Sequence, residues 1–116
     1  MNRISFICLG NWDSTYCLRA KCFGEYLRKY DWDVHFLIPD VESHKTINQD
    51  NVHLISTSPI EFVLETRRLL RKLNSDFVHF LNPEVKAMGV SIFNYRHKII
   101  GDWEDWHAKS RDKGLK

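Results

Sequence analysis

Apolar residues follow two different periods along this chain, and the switches between them mark its elements. Ile4, Phe6, Ile7, Cys8 and Leu9 form a short, nearly continuous run closed by Gly10 and a polar turn, which is the pattern of a strand buried on both faces. Tyr16, Ala20, Phe23, Leu27 and Tyr30 then recur at spacings of four, three, four and three, one stripe of an α-helix. Asp31-Trp32-Asp33 turns the chain into a second strand, Val34-His35-Phe36-Leu37-Ile38, which Pro39-Asp40 ends. Val41 to Asp50 is polar and aperiodic and reads as a loop, and Val52-His53-Leu54-Ile55 reads as a third strand. Ser58-Pro59-Ile60-Glu61 predicts a capping box with Pro at the first helical position. The helix behind it buries Phe62, Thr66, Leu69 and Leu73, widened by Val63 and Leu70, and stops at Asn74-Ser75. Phe77 to Leu81 is a fourth strand. Asn82-Pro83-Glu84 predicts the cap of a short helix through Val85, Met88, Ile92 and Phe93, with Gly89 as a close packing point or a weak spot. His97 to Asp102 is a fifth strand, and the chain is polar from Trp103 onward.

This order of strands and helices predicts an α/β fold: a Rossmann-like parallel sheet in the order 3-2-1-4-5, with right-handed crossovers and flanking helices. Residues 1–116 suffice for a single domain, and no repeat or linker divides them. A basic tail (Lys109, Arg111, Lys113, Lys116) follows the fifth strand with no helix to cover that edge. A doubly wound domain usually continues, so the expectation is a fragment of a two-domain protein. In such sheets ligands bind at the carboxyl ends of the strands, which directs attention to the turns after each.

Charge and composition narrow the classes of function. A net charge of +2 demands no nucleic-acid partner, and 43% hydrophobic residues exclude disorder as the default. The longest apolar runs fall far short of the roughly 20 residues of a spanning helix, and no small-residue cleavage site follows the N-terminal run. Three cysteines, Cys8, Cys17 and Cys22, without a CxxC pair, fit buried or half-buried free thiols in a reducing, cytoplasmic compartment.

The Gly10-Asn11-Trp12-Asp13-Ser14 turn matches neither a dinucleotide fingerprint nor a P-loop. The helix behind it still presents free N–H groups to an anion, although a plain turn with Ser14 or Asp13 as cap is the better-supported reading. His35, His53 and His79 lie inside strands, without the spacing of metal ligands, and no metal site is expected. Arg67, Arg68, Arg71 and Lys72 form the densest basic patch. It reads as a solvated helix face, or as a peripheral contact with an anionic inner membrane surface worth about 1 kcal/mol per basic side chain. The richest chemistry is Gly101-Asp102-Trp103-Glu104-Asp105-Trp106-His107, directly after a buried strand. Carboxylates accept hydrogen bonds from hydroxyls, indoles cover the C–H faces of sugars, and His107 can act as donor or base. Trp12 and Asn82 would complete a polar crevice with aromatic walls.

These segments, taken in order, resemble the N-terminal domain of a GT-B glycosyltransferase of the family-4-like kind. ISFICLG with its turn and helix looks like that family's first strand and glycine-bearing loop; EYLRKYDWDVHFLIP resembles the following helix end and second strand. SDFVHFLNP is similar to the fourth strand, placing Asp76 and His79, and KIIGDWEDW is similar to the fifth strand and its acidic extension. Only one glycine stands in the first loop, where the family often has two, and Asp102 and Asp105 stand where many members have a histidine. The resemblance implies a metal-independent transfer of sugar from a nucleotide-sugar donor to a hydroxyl acceptor, with no cofactor. This chain would be the acceptor-side half, inactive without a C-terminal donor-binding domain. In that reading Asp102, Asp105 and His107 position hydroxyls, and Gly10, Asn11, Trp12, Asn82, Trp103 and Glu104 line the substrate site. The competing expectation is a non-catalytic, flavodoxin-like or receiver-like binding module. Cys8-Leu9-Gly10 and Leu81-Asn82-Pro83, however, lack a receiver's acids.

Overall fold

The computed structural model describes residues 2–81, apart from the side chain of Tyr16, and the backbone of residues 98–102. The elements are β1 (Arg3–Cys8), α1 (Thr15–Arg28), β2 (Asp33–Pro39), a 3-10 turn (Glu42–His44), β3 (Val52–Ile55), α2 (Pro59–Leu73), β4 (Phe77–Leu81) and β5 (Lys98–Asp102). All pairings are parallel and the sheet runs β3-β2-β1-β4-β5, an α/β sheet with flanking helices. The predicted helix through Val85, Met88, Ile92 and Phe93, its Gly89, and the tail from Trp103 lie outside the described residues.

β1 sits between β2 and β4, with Phe6 registered against Phe36 on one side and His79 on the other. The alternation of side chains separates two cores. Ile4, Phe6, Cys8, Val34, Phe36, Ile38 and Leu81 pack with Cys17 and Ala20 of α1. On the opposite face Ile7, Leu37, Ile55, Val78 and Phe80 pack with Phe62 and Leu70 of α2. Both faces of β1 are therefore covered, as its continuous apolar run requires.

The buried stripe of α1 differs from the expected one. The helix turns Cys17, Ala20, Gly24 and Leu27 inward, while Phe23 and Tyr30 are exposed, as are Leu18 and Tyr26. The reason is distance. A Cβ on Gly24 would lie 2.8 Å from Phe36 Cζ and 3.0 Å from Val34 Cγ1, so the smallest residues form the contact and the bulky ones are carried outside. Cys22, on the same helix, is exposed rather than half-buried; Cys8 and Cys17 are buried.

At the start of α1, Ser14 accepts a hydrogen bond from Cys17 N–H at 3.5 Å, and the turn beyond the helix is made by Asp31 in the left-handed region (φ 63°). α2 keeps its predicted stripe, with Phe62, Thr66 and Leu70 buried, and ends where Asn74 turns left-handed (φ 50°) and donates to Leu70 O at 2.8 Å. The expected capping box does not form. The Ser58 side chain makes no cap bond, and the other half of the box is replaced too: Ser58 N–H donates to Ser56 Oγ at 3.2 Å and Glu61 accepts from the Ser56 hydroxyl at 2.9 Å.

Gly24→Ala tests the close approach of α1 to the sheet. Ala favours the helix by about 1 kcal/mol, but overpacking a full core costs about 1–3 kcal/mol. The expected net effect in urea unfolding is a loss of about 1 kcal/mol, and a more stable variant would contradict the packing described.

Candidate functional site

Three turns meet at the carboxyl edge of the sheet and enclose a cavity of about 350 Å³. Leu9, Gly10 and Asn11 come from the end of β1, Pro39 and Val41 from β2, His44 from the 3-10 turn, and Ser56 and Thr57 from β3, with Phe62 of α2 as part of the wall. The volume is at the lower end of the roughly 300–1,000 Å³ typical of small-molecule sites. Its polar groups are few: Asn11, Ser56 and Thr57, among apolar surface.

Each wall is fixed by local bonds. The Asn11 side chain accepts from Asp13 N–H at 3.0 Å and its carbonyl accepts from Ser14 N–H at 2.9 Å, folding the turn tightly behind Gly10. His44 is 1% exposed. Its Nε2 accepts from Trp12 N–H at 2.8 Å, and its Nδ1 donates to Pro39 O at 2.7 Å. The first bond requires a bare Nε2, so the proton sits on Nδ1, and the neutral ring ties the β1 turn to the β2 turn.

Ser56 organises the third wall. Its N–H donates to Glu65 Oε2 at 2.6 Å, its hydroxyl donates to Glu61 Oε2, and its oxygen accepts from Ser58 N–H at 3.2 Å. Two carboxylates thus stand at the start of α2, behind the Ser56 end of the cavity. An anion approaching that helix end would meet the charge of these two carboxylates. A ligand carrying neutral hydroxyls meets no such repulsion.

Beneath Gly10, the Cys17 thiol donates to Gly10 O at 3.8 Å. Its hydrogen bond with Cys8 holds Cys17 below the ordinary thiol range, whereas the same bond, followed by burial, pushes Cys8 well up.

The predicted residues are distributed unevenly. Gly10 and Asn11 line the cavity. Trp12 does not; its ring packs edge-on against Phe36 at 5.2 Å beneath Lys21 Nζ, 4.2 Å from the ring centre, and lines a separate pocket of about 210 Å³ with Gly24, Arg28 and Asn51. The backbone of Asp102 is registered against Leu81 at the carboxyl end of β4. Asn82, Trp103, Glu104, Asp105 and His107 lie outside the described residues. Arg68, Arg71 and Lys72 are exposed and Arg67 is half-buried. Among the described residues no helix is long and apolar enough to cross a membrane, and no three His, Cys, Asp or Glu residues are grouped to hold a metal.

Sequence reasoning missed His44, Ser56, Thr57 and the Pro39–Val41 wall. The carboxyl-edge rule that singled out Gly10 applies equally to the turns after β2 and β3 and would have found all of these except His44, which lies in an aperiodic stretch.

No protein-family model matches this chain, and no curated protein matches it.

Replacing His44 by Ala leaves the Trp12 N–H and the Pro39 carbonyl without their partner, at about 1–3 kcal/mol each. A loss of about 2–5 kcal/mol in denaturant unfolding is expected, and a loss below about 1 kcal/mol would show that the ring does not hold the two turns together. A pH dependence follows from His53, whose charged form is disfavoured by burial and then by the charges of His35 and Lys72, so its value in the fold lies below the ordinary 6.5. The unfolded chain therefore binds a proton on falling below 6.5 while the fold resists it, so this stability is fully present above 6.5 and declines below. Chemical denaturation at pH 8 and pH 5 should show that decline, and His53→Gln should reduce it.

Proposed function

We propose that this chain is the acceptor-binding half of a GT-B-type glycosyltransferase, and that the carboxyl-edge cavity receives a neutral, hydroxyl-rich acceptor. One observation carries the reading: a cavity of about 350 Å³ between Gly10–Asn11, Pro39–Val41 and Ser56–Thr57, whose polar end is backed by carboxylates. Sugar rings combine apolar C–H faces with hydroxyls, which matches apolar walls and a polar end formed by Asn11, Ser56 and Thr57. In the reaction, the bond from the donor's anomeric carbon to its leaving phosphate breaks and a bond to the acceptor oxygen forms. The acceptor hydroxyl's proton passes to the departing phosphate oxygen, so that the products are the new glycoside and the nucleotide. The donor phosphates would be held by the second domain that such enzymes carry, in keeping with a cavity whose polar end has no Lys or Arg among the described residues. Asp102, Asp105 and His107 remain the groups proposed to orient acceptor hydroxyls.

A second reading, a non-catalytic binding module, is favoured by the exposed apolar face of α1, where Leu18, Phe23, Tyr26 and Tyr30 are all more than two-fifths exposed. It predicts that a protein partner, rather than a sugar, saturates the chain.

Titration of simple hexosides, followed by amide NMR, separates the two. Saturable shifts at Gly10, Asn11, Ser56 and Thr57, with a Kd of about 1 mM or tighter (about −4 kcal/mol), are expected. Thr57→Phe, which fills the cavity, should abolish them. Shifts that persist in Thr57→Phe, or inorganic phosphate binding in place of the sugar, would overturn the acceptor reading.

A further inference from the structure

β2 and β3 bring together two imidazoles that stand 18 residues apart. The register pairs Leu37 with His53, which makes His35 a diagonal neighbour of His53 on the same face, within reach of a long side chain. His35 Nδ1 and His53 Nε2 are 3.1 Å apart, with ring centres 5.3 Å apart and planes inclined by 27°. The other nitrogen of His35, Nε2, lies 3.2 Å from Asp33 Oδ2, which also takes Arg3 Nε at 2.6 Å.

That carboxylate settles the chemistry of the pair. Asp33 Oδ2 accepts from Arg3 Nε, which can only donate, and the same oxygen faces His35 Nε2. An ionised Asp33 keeps the proton of His35 on Nε2. Nδ1 is left with its lone pair turned towards His53 Nε2. A carboxylate behind a histidine, with the far nitrogen bare, is the arrangement that orients imidazole ligands in metal centres. Two imidazole nitrogens bound to one cation at about 2.0–2.1 Å stand about 2.9–3.4 Å apart for bond angles between the octahedral and tetrahedral values, and 3.1 Å falls within that span.

We propose that His35 and His53 chelate a borderline divalent cation such as Ni²⁺ or Zn²⁺, with Asp33 as the residue that positions His35. The cation takes the place of the single proton shared by the facing nitrogens, and that proton moves through solvent from His53 Nε2 to His53 Nδ1, so that both rings bind as neutral imidazoles. Among the described residues no third protein ligand joins the two rings, so water completes the shell and the site is open. His35 and His53 are only partly buried. The charged groups facing the pair are Asp33 on β2, Arg3 on β1 and Lys72 on α2. Two of the three are cationic, which weakens binding and selects a metal that bonds nitrogen strongly. The preference expected of imidazole ligands is therefore Ni²⁺ and Zn²⁺ well above Mg²⁺ or Ca²⁺. This site is separate from the carboxyl-edge cavity and stands or falls without it.

The test is titration of Ni²⁺ into the chain carrying Cys22→Ser, which removes the exposed thiol, by calorimetry at pH 7.5, with ring nitrogen NMR of His35 and His53 under Zn²⁺. One equivalent per chain is expected, with both rings shifted and a rise in Tm. His35→Gln or His53→Gln should weaken binding by at least 10-fold and cancel the rise in Tm. Asp33→Asn should weaken it by about 10–100-fold, the usual cost of removing an outer-shell carboxylate. Unshifted rings in the folded parent, or binding undiminished in both histidine variants, would overturn the chelate. Binding undiminished in Asp33→Asn would overturn the positioning role of the carboxylate.

Discussion

Parallel pairing of β1 on both of its edges is the constraint from which the rest of this structure follows. A strand so placed meets protein on every side, and Ile7 and Cys8 have no exposed surface at all. Any polar group within it must therefore find a partner inside the protein. Ser5 does so with Ser75, whose hydroxyl lies 2.5 Å away. Arg3, at the strand's beginning, bonds Asp33 of β2 and the Leu73 carbonyl that ends α2, and its N–H donates to Asp76 ahead of β4. Four segments are thereby fixed around the first turn of chain that enters the sheet.

The opposite end of β1 cannot be covered in the same way. Its chain must leave the sheet to begin α1, as β2 and β3 must leave to begin their own crossovers, and the three departures diverge. The space between them is the cavity. Its chemistry is then decided by side chains that the turns need for themselves: the neutral ring of His44 between two turns, and the glutamates that α2 turns back onto Ser56. The chemistry of this edge is a by-product of satisfying backbone groups, and it is the basis of the hydroxyl-binding role proposed above.

Much of the architecture was legible along the chain because buried parallel strands are nearly pure apolar runs. The β strands stood out for that reason, and so did the α2 stripe, where large residues face inward. α1 was misread in part: Ala20 and Leu27 of the expected stripe face the sheet, but Phe23 and Tyr30 are exposed. A stripe drawn through large apolar residues selects Phe23 and Tyr30, whereas the contact face is built from Cys17, Ala20 and Gly24, whose value lies in what they lack. At Ser58 the capping box is replaced by bonds through Ser56, whose hydroxyl accepts from Ser58 N–H and donates to the Glu61 carboxylate, a competition between side chains that no spacing rule contains. His44 left no periodic signal, and the His35–His53 pair exists only once the register of β2 with β3 is set. Gly10 and Asn11 were found by the carboxyl-edge rule, and Ser56 and Thr57 obey the same rule.

The placement of β1 also has a consequence in time. Its partner β2 emerges from synthesis soon after it, but β4 follows β2 by about 40 residues, or about 2–8 s at ordinary rates of elongation of roughly 5–20 residues per second. During that interval the central strand has one edge of unpaired N–H and C=O groups and no α2 to cover its second face. A nascent chain in this state offers a template for pairing with another nascent chain. The exposure lasts until the ribosome delivers Pro59 to Leu81, so synonymous codon changes that slow that stretch would prolong it without altering a single side chain.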